Sequence, residues 1–171
     1  MAVYTMNTIS AEDANTAFAK GVRDARRLRE RARVARIIAD GLDGAYITKR
    51  LDAKLEELLP ADICEKAYIS AIGAGSLKYV HVRPVGVQNY NDCWDIALWN
   101  GDDKRVNGAK IREGAQKDEE RAAGIEKGLE RFHEIVGTYN ALATAYAGIY
   151  DELHVFFEEL VYADYNARKS K

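Results

Sequence analysis

From Ile111 to Leu160 the apolar positions recur at spacings of three and four: Ile111, Ala115, Asp118, Ala122, Ile125, Leu129, Phe132, Val136, Tyr139, Ala143, Tyr146, Tyr150, Leu153, Phe157 and Leu160. Only Asp118 breaks the apolar rule. A period of 3.5 kept over roughly seven heptads turns one seam to a partner helix, which is the requirement for a coiled coil. The spacing predicts a long heptad helix over residues 108–163, capped by Asn107. Unbroken, about fifty residues would span roughly 75 Å. Gly114, Gly124, Gly128, Gly137 and Gly148 lie inside it, and each costs about 1 kcal/mol relative to alanine. Gly137 and Gly148 are therefore candidate breaks, although the heptad phase runs through both and favours continuity.

A second heptad seam runs through Ala14, Phe18, Gly21, Ala25, Leu28, Ala32, Ala35 and Ala39. It predicts a helix over 10–40, with Ser10 as N-cap, Asp13 in the first turn and Asp40-Gly41 at the end. Its seam residues are mostly small, so a neighbouring backbone can come close. The long helix, running antiparallel, is the expected neighbour.

Between these helices the period changes. Asp43-Gly44 marks a turn, and the segment 45–72 predicts short helices. The first follows Ile47, Leu51, Leu55, Leu58 and Leu59 and stops at Pro60. The second, from Ala61 to about Ile72, would turn Ile63, Ala67 and Ala71 inward. From 77 to 100 the pattern alternates and predicts an antiparallel β hairpin. Val80 and Val82 oppose Tyr79, His81 and Arg83; Trp94, Ile96 and Leu98 oppose Asp95, Ala97 and Trp99. Such a pair is marginal alone and must lean on a helix; Val3, Tyr4 and Thr5 offer a third strand. The fold class is mainly α (α+β): a long C-terminal helix in coiled-coil packing with the N-terminal helix, plus a small antiparallel β unit. Residues 1–171 read as a single domain.

Composition narrows the function classes. A formal net charge of -2 excludes a generally basic nucleic-acid coat and a strongly acidic nucleic-acid mimic. Cys64 and Cys93 are too few for a disulfide framework and fit no metal-ligand spacing. Residues 1–9 lack the basic start and apolar stretch of a secretory signal, and no run approaches the ~20 apolar residues that span a bilayer. The expectation is a cytoplasmic protein without a membrane partner.

The most pointed candidate chemistry is the basic cluster of the first helix. Lys20, Arg23, Arg26, Arg27, Arg29, Arg31, Arg33 and Arg36 are opposed within that span only by Asp24 and Glu30. With the seam at Phe18, Ala25 and Ala32, the outward residues are Lys20, Arg23, Arg26, Arg27 and Arg33, an arginine-rich ridge. Guanidinium forks suit phosphate oxygens and acidic protein surfaces alike. The competing structural reading has the ridge satisfied by the acidic stretch Asp151, Glu152, Glu158, Glu159 and Asp164. A candidate protein interface comprises Tyr139, Tyr146, Tyr150, Tyr162 and Trp99, because tyrosine at a seam tolerates partial exposure and is enriched at interfaces. Tyr79, His81 and Arg83, with Tyr90, Trp94 and Trp99 nearby, form an aromatic strand face able to stack on bases.

Catalytic signatures are absent from the sequence. His81, His133 and His154 sit at no recognisable spacing with Cys64 or Cys93, and no phosphate-cradling loop or nucleophile elbow occurs. The expectation is therefore a non-enzymatic interaction protein, without metal or cofactor, that occludes or bridges a macromolecular partner (a protein or a protein–nucleic acid complex). Its most specific form is a phage or mobile-element inhibitor of a nucleic-acid-processing complex, in the manner of an anti-CRISPR. The alternatives are direct nucleic-acid binding through the first helix and a homo-oligomeric coiled-coil scaffold, with the long helix pairing across a dimer axis.

Overall fold

The computed structural model describes residues 7–72, 77–98 and 104–145. The expected strand through Val3 and the seam beyond Ala145 lie outside those residues. The chain divides into two compact units, Val22–Glu126 and Met1–Gly21 with Lys127–Lys171.

The first helix, α1, spans Ala11–Leu42. Ser10 caps it as expected: its Oγ accepts from the Asp13 amide at 3.0 Å and donates to Asp13 Oδ2 at 2.7 Å. The helix runs past Asp40-Gly41 because Leu42 belongs to the core. Gly41 serves close packing instead: a Cβ there would sit 2.6 Å from Leu58 Cδ1. Gly44, at φ +71°, is the glycine that ends the helix. Segment 44–47 then bonds along 104–106, with the amides of Gly44 and Ile47 donating to the carbonyls of Val106 and Lys104.

The short helix α2, Leu51–Leu58, buries Leu51 and Leu55 and ends before Pro60 as expected. Residues 61–72 depart from expectation: Cys64–Ile72 is strand β1, not a second short helix. Tyr68 and Ile69 favour a strand, and β1 pairs antiparallel with β2, Leu77–Pro84, from Ile72↔Leu77 to Cys64↔Pro84. Local apolar spacing of four was outweighed by that ladder. The expected hairpin partner, β3, is Trp94–Ala97, and the sheet order is β1-β2-β3. The third strand therefore comes from the segment before the hairpin.

Helix α3 begins where predicted and spans Gly108–Glu130, its Lys110 amide bonded to Asn107 Oδ1. In the Val22–Glu126 unit its buried residues Ile111, Ala115, Asp118 and Ala122 meet the alanine seam of α1. The helices are antiparallel: Arg112 pairs with Asp40, Glu119 with Arg36 and Glu126 with Arg29. The core joins Ala32, Val34, Ile38 and Leu42 of α1 to Leu55 of α2, Val80 and Val82 of β2, and Trp94 and Ile96 of β3. Burying large side chains at about 25 cal/mol per Å² is what anchors the marginal sheet.

In the other unit the aromatic rings of Phe18 and Phe132 lie 5.8 Å apart and His133 stacks on Phe18 at 5.1 Å. Asn140 bonds both the amide and the carbonyl of Ile9. The long helix is not continuous as predicted. Arg131 is a turn, its amide reaching back only to Gly128, before residues 132–145 resume the helix. Gly137 lies within that helical stretch, and Gly148 lies outside the described residues. The interruption follows a glycine, whose backbone freedom weakens the local ladder. The seam phase survives it, since Phe132, Val136 and Tyr139 are half-buried and Ala143 is buried.

Candidate functional site

The alanine seam fixes the rotation of α1, and that rotation sorts its arginines into three directions. Toward α3, Arg29 bonds both carboxylate oxygens of Glu126, with Nε–Oε1 at 2.7 Å. Arg36 does the same to Glu119, with Nε–Oε1 at 3.0 Å. Toward the sheet, Arg27 donates to the carboxylate of Asp92 at 3.1 Å and to its carbonyl at 2.6 Å. Arg31 lies 3.4 Å from the Asp118 carboxylate in the seam and donates to the Asp95 carbonyl at 3.4 Å. The third direction is solvent. Arg23, Arg26 and Arg33 are exposed there. Arg26 meets its helical neighbour Glu30 at 2.8 Å, whereas Arg23 and Arg33 make no ion pair among the described residues.

The two forked pairs shift their members in opposite senses. Hydrogen bonding from Arg36 and Arg29 holds the Glu119 and Glu126 carboxyls below the ordinary value, against the opposing cost of desolvation. The same bonds raise Arg36 and Arg29. These are solvent-exposed pairs, so each contributes modestly, but bidentate geometry fixes the register of the two helices.

The predicted ridge is thus divided. Arg23, Arg26 and Arg33 stand together on the outer face of α1, while Arg27 is drawn to Asp92. Lys20 is exposed on the part of α1 that belongs to the other unit. The expected acidic partners at 151–164 lie outside the described residues; the carboxylates that meet arginines of α1 include Glu30, Asp92, Asp118, Glu119 and Glu126. Of the predicted tyrosine interface, Tyr139 is half-buried, and Tyr146, Tyr150, Tyr162 and Trp99 lie outside the described residues.

The aromatic strand face differs from its sequence reading. Trp94 belongs to the core, and Tyr79 and His81 are buried. What covers His81 is Tyr90, from a 3-10 turn at Tyr90–Asp92, stacked on it at 4.6 Å and 14°. Tyr68, His81 and Asp95 form one cross-strand row through the pairings Tyr68↔His81 and His81↔Asp95. His81 Nδ1 lies 2.8 Å from Asp95 Oδ1, so that nitrogen carries the proton toward the carboxylate. The Tyr90 phenol is raised, first by desolvation and then by the neighbouring tyrosines and Asp95. On the opposite side of the sheet, burial pushes the Cys64 thiol up to about 11 and leaves it a poor nucleophile.

Lys66, Tyr68 and Arg83 extend this face, a grouping that the helical spacing over 61–72 conceals in the sequence. The signal that could have found them is Tyr68-Ile69 followed by Gly73-Ala-Gly-Ser, a strand-to-turn composition. Among the described residues no group of His, Cys, Asp and Glu is arranged to hold a metal ion, and no helix is long and apolar enough to cross a membrane. No protein-family model, curated protein or solved structure matches the chain.

Proposed function

We propose that this chain is a non-enzymatic helical interaction protein that occludes or bridges a macromolecular partner, docking by the outer face of α1. The specific form proposed is an inhibitor, carried by a phage or mobile element, of a nucleic-acid-processing complex. One observation carries the reading: Arg23, Arg26 and Arg33 are turned outward on a helix whose other arginines are held by α3 and the sheet. A rigid scaffold that presents Arg23 and Arg33 to solvent, with Arg26 met only by its helical neighbour Glu30 among the described residues, loses little conformational freedom on docking to an acidic surface.

Direct nucleic-acid binding is the weaker use of the same strip. Three arginines neutralise about three phosphates, which gives a salt slope near -3, against about -10 for a protein with a full phosphate footprint. The test is retention of purified nucleic-acid-processing nuclease complexes on the immobilised protein at low salt. The reading requires retention by the wild type and its loss in R23E/R26E/R33E at an unchanged melting temperature. Absence of retention by the wild type, or equal retention by the variant, rejects it. A gel shift with naked DNA or RNA that equals or exceeds the retention of the complexes would favour direct binding.

A homodimeric reading has its own observation. Ile135 and Leu142, one heptad apart on the helical stretch 132–145, are 54% and 60% exposed, and they flank the seam residues Val136, Tyr139 and Ala143. Light scattering across a dilution series tests this; a monomer at every concentration excludes it.

A further inference from the structure

The outer face of the sheet holds an open depression of about 190 Å³ whose lining includes Lys66, Tyr68, His81, Arg83, Gln88 and Tyr90. We propose that it is a binding site for a small phosphomonoester, with the phosphate held between Lys66 and Arg83 and its organic group against the Tyr68–His81–Tyr90 rings.

Three features of the chain itself argue for an anion. Lys66 and Arg83 are direct partners in the β1–β2 ladder, and like charges set opposite one another across antiparallel strands destabilise the pair. Glu65 relieves this only at the far end of the guanidinium, where it accepts from Arg83 Nη2 at 2.7 Å. Arg83 Nε is buried and has no hydrogen-bond partner among the described residues. A buried donor left unpaired costs free energy, and turning the partly exposed guanidinium toward an acceptor in the depression relieves that cost. Finally, the lining includes two cationic side chains, Lys66 and Arg83, and no carboxylate among the described residues. The nearest acid in the row, Asp95, is engaged by His81 Nδ1.

The number of cations selects the class of anion. Two cations suit the dianion of a phosphomonoester better than a single carboxylate, and the guanidinium fork matches phosphate geometry. The rings set the second half of the ligand. His81 lies between Tyr90, at 4.6 Å, and Tyr68, at 5.1 Å, and Lys66 Nζ stands 5.7 Å from the Tyr68 centroid. That places a cation beside an aromatic wall, the chemistry that receives a planar group attached to a phosphate. The site is independent of the arginine strip on α1 and of the docking role proposed for it.

Two-dimensional NMR titration of the full chain reads the site directly, with phenyl phosphate, inorganic phosphate and benzoate as separate probes. The expected result is saturable shifts at residues 66–68, 81–83 and 88–93, strongest for phenyl phosphate. Inorganic phosphate should bind more weakly at the same residues, and benzoate more weakly than phenyl phosphate. K66Q, which alters an exposed side chain, should weaken phenyl phosphate by about tenfold or more, as should R83Q if it folds. The proposal is overturned if phenyl phosphate causes no saturable shift up to about 20 mM, far above any useful affinity. It is equally overturned if K66Q binds as well as wild type, or if benzoate matches phenyl phosphate.

Discussion

Asp118 sits where the heptad calls for an apolar side chain, and its energetics can be predicted from its surroundings. Its side chain is 9% exposed, and its charge is met by Arg31 at 3.4 Å, a side chain 37% exposed. Arg31 also donates to the Asp95 carbonyl, so one guanidinium ties α3 and β3 to α1. Replacing Arg31 by Met keeps the stem and removes the charge, leaving a carboxylate in the seam between Ala115 and Ala122. Breaking a fully buried pair costs 3–5 kcal/mol and an exposed one at most about 1. With one partner buried and the other more than a third exposed, the expected loss is about 2 kcal/mol. For a chain of this length that is a melting decrease of roughly 4–8 °C. Asp118→Leu removes the charge from the buried side and should stay within about 1 kcal/mol of wild type, because apolar replacement at a helix seam restores packing. The double variant should lie closer to wild type than Arg31→Met does. Urea unfolding followed by circular dichroism, with equal slopes required for all four proteins, measures the cycle. The reasoning fails if Arg31→Met costs less than about 0.5 kcal/mol, or if Asp118→Leu costs as much as Arg31→Met.

Four further outcomes follow from the packing and the titrating groups. Gly108→Ala should destabilise by about 1–3 kcal/mol, since its Cβ would lie 2.7 Å from Asp43 Cγ and 3.0 Å from the Ala39 carbonyl. Gly124→Ala meets nothing within 4 Å among the described residues and should stabilise by up to about 1 kcal/mol; chemical denaturation of both separates close packing from helix propensity. Glu119 and Glu126 have folded pKa values lowered from 4.5, so their contribution is present above 4.5 and lost as pH falls through the lowered values. The stability advantage of wild type over E119Q/E126Q should therefore shrink below pH 4.5, as read by melting at a series of pH values. For thiol chemistry at about pH 8, where an ordinary cysteine approaches its pKa, native protein should react with a disulfide reagent at Cys93 and resist at buried Cys64. Both should react after unfolding; rapid native labelling of Cys64 contradicts its burial.

The helical part of this fold is legible because periodicity over many turns outweighs any single residue. Every described seam position of the two helices is buried or half-buried, including the out-of-type Asp118. The β1 strand was not legible, because Ile63, Ala67 and Ala71 satisfy a helical spacing while the pairing that overrides it lies in β2, beyond the local window. The break at Arg131 was likewise hidden, since the phase continues across it and five glycines offered competing positions. For the arginines, their number and the outward Arg23, Arg26 and Arg33 are legible, but Arg27, expected on the same ridge, turns to Asp92; which carboxylates meet the others depends on the register of α1 against α3. The Lys66–Arg83 pairing could not be seen at all until β1 existed as a strand.

Equal changes of charge in two places test the central claim most directly. R29E/R36E and R23E/R33E each replace two arginines of α1 with glutamates, so any general effect of net charge is the same in both. The measurement is the urea midpoint of each variant against wild type at low salt. The account predicts a clear fall for R29E/R36E, whose new carboxylates face Glu126 and Glu119, and a midpoint near wild type for R23E/R33E. Equal midpoints for the two variants, or the larger fall in R23E/R33E, would contradict the division of the arginines between the fold and the outer face.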